Sequence, residues 1–481
     1  MATFDGFGSF VRALEAKGEL RRVAREVSPN LEIPEMADRL VKSGGPAVLF
    51  EKPTGSEFPL AINTFASPKR MAWALGVEDV EEHARELDSI LKTQPPKSFM
   101  DKLKMLPQLA RFASFAPKKA SSGACQEVVL KEPDVTKLPV LTCWPGDGGP
   151  FITLPQVITR DPETGHRNVG CYRMQVFDAK TTAMHWQLHK VGARHFRVAK
   201  EKGEKIPVAV ALGGDPALSY AATAPMPDGV DEYLLAGFLR RRGVEMVACK
   251  TVPLEVPADS DFVLEGWVDP SEPLVKEGPF GDHTGYYSLA DDYPLFHVTA
   301  MTHRRDAVYP TTIVGPPPME DAWLGKATER LFLPMIKMTL PEIVDMNLPV
   351  EGAFHNLAIV SIKKQYPGHG PKIASAIWGL GQMMFSKVIV VVEDDVDVQN
   401  VREVVWRVCA NIDPKRDFHF AVGPADALDH APDAFAYGGK VCIDATRKWK
   451  EEGYGREWPE VLKMSAEVKA KVDSIFRELG L

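Results

Sequence analysis

Between Gln126 and about Thr311 the chain consists of short β-rich runs, whereas on both sides of that stretch helix-like and strand-like runs alternate. The runs are Glu127 to Leu130, Val140 to Trp144, Phe151 to Thr153, Gln156 to Thr159, Asn168 to Val176, Val208 to Leu212 and Met246 to Cys249. Turn signals such as Pro162-Glu163-Thr164-Gly165 separate several of them. That spacing predicts a barrel or sandwich rather than a doubly wound sheet.

The flanks read differently. Phe7, Phe10, Val11 and Leu14 predict a helix with Gly18 as its C-cap, followed by a strand from Leu20 to Val23. A second helix, Pro34 to Lys42, stops at Ser43-Gly44-Gly45-Pro46 before the apolar run Ala47 to Phe50. From Pro95 to Lys119, prolines, lysines and spaced apolar residues predict a linker packed on a neighbouring domain, since Pro107 breaks any long amphipathic helix. A peripheral contact with a membrane surface is the alternative. Beyond a helix beginning near Glu320, Leu357 to Ile362 and Val388 to Val392 read as strands, Lys372 to Phe385 and Asn400 to Asn411 as helices. These make a parallel α/β unit whose strands are apolar enough to be buried on both faces. The last helix carries Val468, Val472, Ile475, Phe476 and Leu479 on one stripe behind Ser465 as N-cap, and too little chain remains to cover it. Docking onto another subunit is therefore expected. The regions predicted are 1–120, 121–318, 319–460 and 461–481.

A net charge of -8, with basic residues scattered, offers no electrostatic footprint for nucleic acid. The six cysteines form no CxxC pair, which suits a reducing cytoplasm better than a disulfide framework or a thiolate zinc site. No apolar run reaches the roughly 18 residues of a spanning helix. A cytoplasmic protein is expected.

The stretch with the densest chemistry is Glu277-Gly278-Pro279-Phe280-Gly281-Asp282-His283-Thr284-Gly285-Tyr286-Tyr287. Its glycines permit backbone angles and close approaches that side chains forbid, and Pro279 stiffens the turn, so two carboxylates would be held at fixed positions. Two acids in different surroundings can titrate apart. The bland alternative is a Gly-rich hairpin with solvated acids. Arg173 has the fork geometry that clamps a carboxylate, although an ordinary surface ion pair would also explain it. It lies an odd number of residues from Asn168, so on a regular strand the two face opposite sides of the sheet. Glu393-Asp394-Asp395-Val396-Asp397 reads as helix-start charge, Gly213-Gly214-Asp215-Pro216 as a turn, and no G-x-S-x-G elbow is present.

Several motifs, in order, are similar to those of the UbiD family of reversible decarboxylases. They are Gly44-Gly45-Pro46-Ala47, Thr142-Cys143-Trp144-Pro145, Asn168 with Tyr172-Arg173, Trp186 to His189, Asp231-Glu232-Tyr233 and Glu277 to Tyr287. Lys364-Gln365-Tyr366-Pro367-Gly368-His369 and Gly439-Lys440 to Asp444-Ala445-Thr446 complete the set. The resemblance runs nearly end to end and looks closest to the branch acting on 4-hydroxy-3-polyprenylbenzoate. It implies a multidomain α+β fold, with a central flavin-reductase-like split β-barrel between N-terminal and C-terminal α/β regions, assembled as dimers or hexamers. It implies a prenylated FMN made by a flavin prenyltransferase. Asn168, His189 and Glu232 match the ligands of a divalent ion, manganese or magnesium, with potassium as an optional further cation. Cys171, Tyr172, Arg173, His185, Trp186, Gln187, Lys190 and Val191 match cofactor-contacting positions, and Lys387 a lysine reaching in from the C-terminal region. Arg173, Glu277 and Asp282 match the catalytic triad: Arg173 to hold the substrate carboxylate, Glu277 to orient Arg173, Asp282 to protonate the carbon that loses carbon dioxide.

The chain departs from the polyprenylbenzoate branch at His185-Trp186-Gln187-Leu188-His189-Lys190-Val191, where those members carry an Arg-Trp-Leu-Ser-His-Arg-Gly run. A naphthoate acid or a plain hydroxybenzoate therefore competes as the aromatic carboxylic acid substrate. An ordinary FMN reductase and a metal-dependent hydrolase are the alternatives of another class.

Overall fold

The apolar spacing near the N-terminus produces the helix Phe7–Ala16, which buries Phe7, Phe10, Val11 and Leu14 along one face. The structure, a computed structural model, describes residues 4–93 and 110–480, so the predicted linker Pro95 to Lys119 lies outside the described residues as far as 109, and within its described end Phe115 is buried with its ring 5.9 Å from that of Phe238. Leu20–Val27 runs parallel to Ala47–Pro53, which pairs antiparallel with Leu60–Ile62. The fourth strand of this sheet, Tyr309–Pro310, comes from much later in the chain and lies parallel to Leu60–Ile62. The N-terminal sheet is thus completed by the segment that leaves the middle of the molecule.

The middle region is an antiparallel sheet of seven strands. Its path runs Thr181–Ala183, Leu295–His303, Phe262–Val268, Ile206–Leu212, Gln156–Arg160, Arg167–Gly170, with Val128–Val129 on the side of Leu295–His303. This path is open, and among the described residues no pairing joins its two ends. The sheet bends at a register shift between Glu265 and Gly266, where a Cβ on Gly266 would collide with the His297 carbonyl. Val140 to Trp144, expected as a strand, makes only isolated bridges, from Leu141 to Phe151 and from Thr142 to Asn30. Asn168 to Val176 is likewise no continuous strand: Arg167–Gly170 ends before Cys171 and a separate ribbon, Met174–Gln175 with Phe151–Ile152, begins after Arg173.

The C-terminal sheet has the order Ile343–Asn347, Leu357–Ile362, Val388–Glu393, Tyr437–Asp444, Phe418–Pro424. Its three inner strands are parallel, as the buried apolar runs predict, and the two outer strands are antiparallel, which corrects the expectation of an all-parallel unit. The helix expected over Lys372 to Phe385 is two pieces, His369–Trp378 and the 3-10 turn Gly381–Phe385, divided where Gly381 takes φ of 47°. Among the described residues no helix is long and apolar enough to cross a membrane.

Candidate active site

Glu277 ends the short strand Val275–Glu277, which pairs with Asp291–Tyr293, so the Gly-rich stretch is the connection of a long hairpin. Neighbouring elements pin it from several sides. Gly278 N–H donates to Gln175 Oε1 at 2.7 Å, and Gly148 N–H donates to the Pro279 carbonyl at 2.7 Å. Asp147 accepts from Gly281 N–H at 2.8 Å and from the amides of Cys143 and Trp144, each at 2.9 Å. Gly281 packs so closely on Trp144 that a Cβ there would enter the indole ring. Tyr287 OH accepts from Gly146 N–H at 2.9 Å. The solvated-hairpin alternative is excluded by these contacts: Glu277 is 0% exposed.

Arg173 lies at the centre. It reaches Glu277 through two parallel hydrogen bonds, Nε to Oε1 at 2.7 Å and Nη2 to Oε2 at 3.0 Å. Its Nη1 pairs with Asp282 Oδ2, and Nη2 also donates to Ser288 Oγ at 3.0 Å. The guanidinium carbon lies 4.6 Å from the Phe280 ring centroid, and Arg173 is 9% exposed. Arg173 is therefore a buried clamp between two acids rather than a surface ion pair. Burial alone would raise the Glu277 carboxyl, but hydrogen bonds from His185 and Arg173 overcome it and hold the group at about 2. Burial opposes ionisation of Asp282 as well, yet His283 and Arg173 keep its carboxyl well below the usual range.

A second chain of contacts leaves Asp282 on its other side. Asp282 Oδ1 lies 2.9 Å from His283 Nδ1, and His283 Nε2 lies 2.7 Å from His355 Nε2. His355 Nε2 stands 4.0 Å from Asp426 Oδ2. His283 was visible in the loop sequence without a role; His355 and Asp426 carried no local signal, because each comes from a distant C-terminal loop.

The residues expected to hold a metal and a flavin phosphate divide into two groups. Asn168 and Glu232 line one cavity of about 370 Å³, together with Val191 at the start of the helix Val191–Lys202. Glu232 Oε2 accepts from Val169 N–H at 2.8 Å, and burial pushes its carboxyl up to about 7. His189 lies outside that cavity wall; it is exposed, and its ring meets Phe385 edge-on with centroids 5.3 Å apart.

Among the cofactor candidates, Tyr172 OH accepts from Gly192 N–H at 3.4 Å, and Cys171 Sγ lies 3.9 Å from the Thr153 carbonyl. His185 touches Glu277 through Nδ1 at 3.1 Å, and its ring lies on Tyr293. Lys190 Nζ donates to Gln382 Oε1 at 3.2 Å, while its backbone amide bonds to the Gln187 carbonyl at 2.9 Å. Lys387 Nζ is paired with both oxygens of Asp429, at 3.0 and 2.9 Å. Three polar atoms in this group are buried without a protein partner: Asn168 Nδ2, His185 Nε2 and Trp186 Nε1. Unpaired buried polar atoms cost roughly 1–3 kcal/mol each. Such orphaned polar atoms, with Asn168 sharing its cavity with Glu232, a carboxylate whose ionised form burial disfavours, fit a bound polar group and a cation.

The comparisons with known proteins agree with one another. Models of the 3-octaprenyl-4-hydroxybenzoate carboxy-lyase N-terminal, Rift-related and C-terminal domains match residues 11–89, 117–317 and 322–445. An uncharacterized protein of Archaeoglobus fulgidus is 55% identical over 478 residues, covering 99% of this chain and 98% of its own. Vanillic acid decarboxylase of Sedimentibacter hydroxybenzoicus in its closed form superposes with a TM-score of 0.86 at 26% identity, covering 99% of this chain and 100% of its own. Its open form gives a TM-score of 0.79, again at 26% identity, with the same coverage of both chains. The UbiD-class enzyme HmfF of Pelotomaculum thermopropionicum, in complex with FMN, gives 0.80 at 29% identity, covering 98% of this chain and 99% of its own.

Proposed function

The chain belongs to the UbiD family, and we propose that it is a non-oxidative, reversible decarboxylase of an aromatic hydroxy acid that works with prenylated FMN. The observation that carries this reading is the buried Glu277–Arg173–Asp282 cluster. The Glu277 carboxylate accepts twice from Arg173 and so fixes the guanidinium plane, leaving the edge now paired with Asp282 to be shared with an incoming carboxylate. When the substrate carboxylate binds Arg173, Asp282 loses part of the positive field that keeps it ionised, so its proton affinity rises where an acid is needed. Once carbon dioxide has left, protonated Asp282 delivers its proton to the carbon that carried the carboxylate. The prenylated flavin, when bound, supplies the electron sink for carbanion chemistry at an aromatic carbon.

Cys171, Tyr172, His185, Trp186, Gln187, Lys190, Val191 and Lys387 would surround the flavin, and Asn168, His189 and Glu232 would hold manganese or magnesium against its phosphate, with potassium optional. On this reading the open central sheet belongs to a split barrel and a flavin prenyltransferase supplies the cofactor. A 4-hydroxy-3-polyprenylbenzoate-type acid is the first substrate to test, with naphthoates and simple hydroxybenzoates as competitors. The reductase and hydrolase alternatives leave the Arg173 cluster without a purpose.

The test is co-expression with a flavin prenyltransferase, spectra and mass of the bound flavin, and carbon dioxide release across a panel of aromatic acids. Prenylated flavin with turnover of at least one acid supports the reading. Ordinary FMN with nicotinamide-dependent reduction would overturn it.

A further inference from the structure

Asp282 can protonate a substrate carbon only after it acquires a proton, yet Arg173 on one side and His283 on the other hold it as an anion. The neighbour on its other side is an imidazole. His283 Nδ1 faces Asp282 Oδ1 at 2.9 Å, and the His283 amide donates to the same oxygen at 2.7 Å. His283 Nε2 faces His355 Nε2 at 2.7 Å, a distance at which one of the two nitrogens must carry the hydrogen.

His355 is held there at a backbone cost. Ala353 and Phe354, the two residues before it, take φ of 47° and 46°, the left-handed region that non-glycine residues rarely enter. Such conformations persist where surrounding structure over-determines them, and they cluster at functional sites. Here Phe354 stacks on the His283 ring with centroids 5.2 Å apart, so the strained turn grips His283 by a ring face and a ring nitrogen together.

Resting on the decarboxylase reading above, we infer that His283 is a positioning residue that stores the proton for Asp282. It sits as an imidazolium between Asp282 and a neutral His355, and passes its Nδ1 proton to Asp282 Oδ1 when a substrate carboxylate engages Arg173. One N–H bond breaks and one O–H bond forms, and no electrons change hands. Decarboxylation of a carboxylate to carbon dioxide and a C–H product consumes one proton per turnover. Solvent restores it to His283 after product leaves.

The charges around the pair point the same way. His283 faces Asp282, Asp321 on the helix Asp321–Thr339, and Asp426; burial lowers its proton affinity, but these acids raise it above the ordinary value. His355 faces His283, Asp426, Lys190 and Asp429; burial and the charge of His283 bring it down to about 4, leaving it neutral as an acceptor.

The experiment uses the full-length protein loaded with cofactor by co-expression. ¹⁵N NMR of labelled imidazoles, assigned by loss of a signal in H283Q, should show His283 protonated at both nitrogens at pH 7, and Asp282→Asn should lower its pKa. His283→Gln should lower kcat about a hundredfold while KM stays within about threefold, with flavin loading unchanged. In the wild type kcat should decline as pH rises through the pKa of His283, and H283Q should lack that limb. A His283 that is neutral at pH 7, or an H283Q enzyme with intact kcat and intact limb, would overturn the inference. If loaded wild type turned over no aromatic acid, the decarboxylase reading would fall, while the NMR charge state would still decide for or against the stored proton.

Discussion

Arg173 shows how one side chain can serve both packing and chemistry. A buried guanidinium with two carboxylates is costly to break, because removing one partner leaves uncompensated charge. Glu277→Gln should therefore lower stability by about 3 kcal/mol, read as a fall in chemical-denaturation midpoint at unchanged slope. The pH dependence has a definite sign. Glu277 sits at about 2 in the folded chain against 4.5 in the unfolded one. Its contribution is present above about pH 4.5 and fades as pH falls toward 2, an increment of about 3 kcal/mol that the Gln variant should lack. Asp282→Asn should abolish turnover and leave flavin binding intact, since Asp282 is assigned only the proton; full activity in that variant would remove the assignment. The two acids and Arg173 were legible because they lie in dense, unusual stretches that resemble a known family. His355 was not, since it meets His283 across 72 residues of sequence and stands in a turn whose strain no composition reveals.

At the level of elements, regular periodicity was legible and interruptions were not. The buried strand Leu357–Ile362 has the bounds its apolar run predicts. Asn168 to Val176 broke at Cys171, so the argument from strand alternation does not apply there, although Asn168 and Arg173 do serve different partners: one lines the cavity with Glu232, the other grips Glu277. The turn that follows places Trp186 against Gly192 at the start of Val191–Lys202, where an added Cβ would stand 2.6 Å from the indole. Gly192→Ala should push Trp186 out of place at a cost of about 1–3 kcal/mol. Because Trp186 and Val191 are assigned to the flavin wall, the ratio of flavin to protein in the purified variant should fall, and an undiminished ratio would separate this helix start from the cofactor. The same ratio should fall after chelation of divalent metal from the wild type. In Glu232→Ala it should already be low and insensitive to chelator.

Across the whole molecule, the proposed chemistry depends on a seam between the central and C-terminal regions. His283 meets His355, Lys190 meets Gln382, His189 meets Phe385, and Tyr286 lies 4.3 Å from the His430 ring, all across that seam. Among the described residues nothing comparable holds the last helix. Ala466–Leu479 buries no residue, and Val468, Val472, Ile475, Phe476 and Leu479 all stand exposed along it. Its cap is sound, with Ser465 Oγ accepting from Val468 N–H at 3.3 Å, but a 14-residue helix is marginal in water without tertiary packing. An apolar stripe on a marginal helix is stable only if something covers it, and a second copy of this chain is the occupant we propose. Deleting Ser465 to Leu481 should reduce the assembly's mass in light scattering and make its melting temperature less dependent on protein concentration. An unchanged mass would assign the interface elsewhere. Because the seam contacts all lie before Ser465, the truncated chain should keep its flavin even as the assembly comes apart.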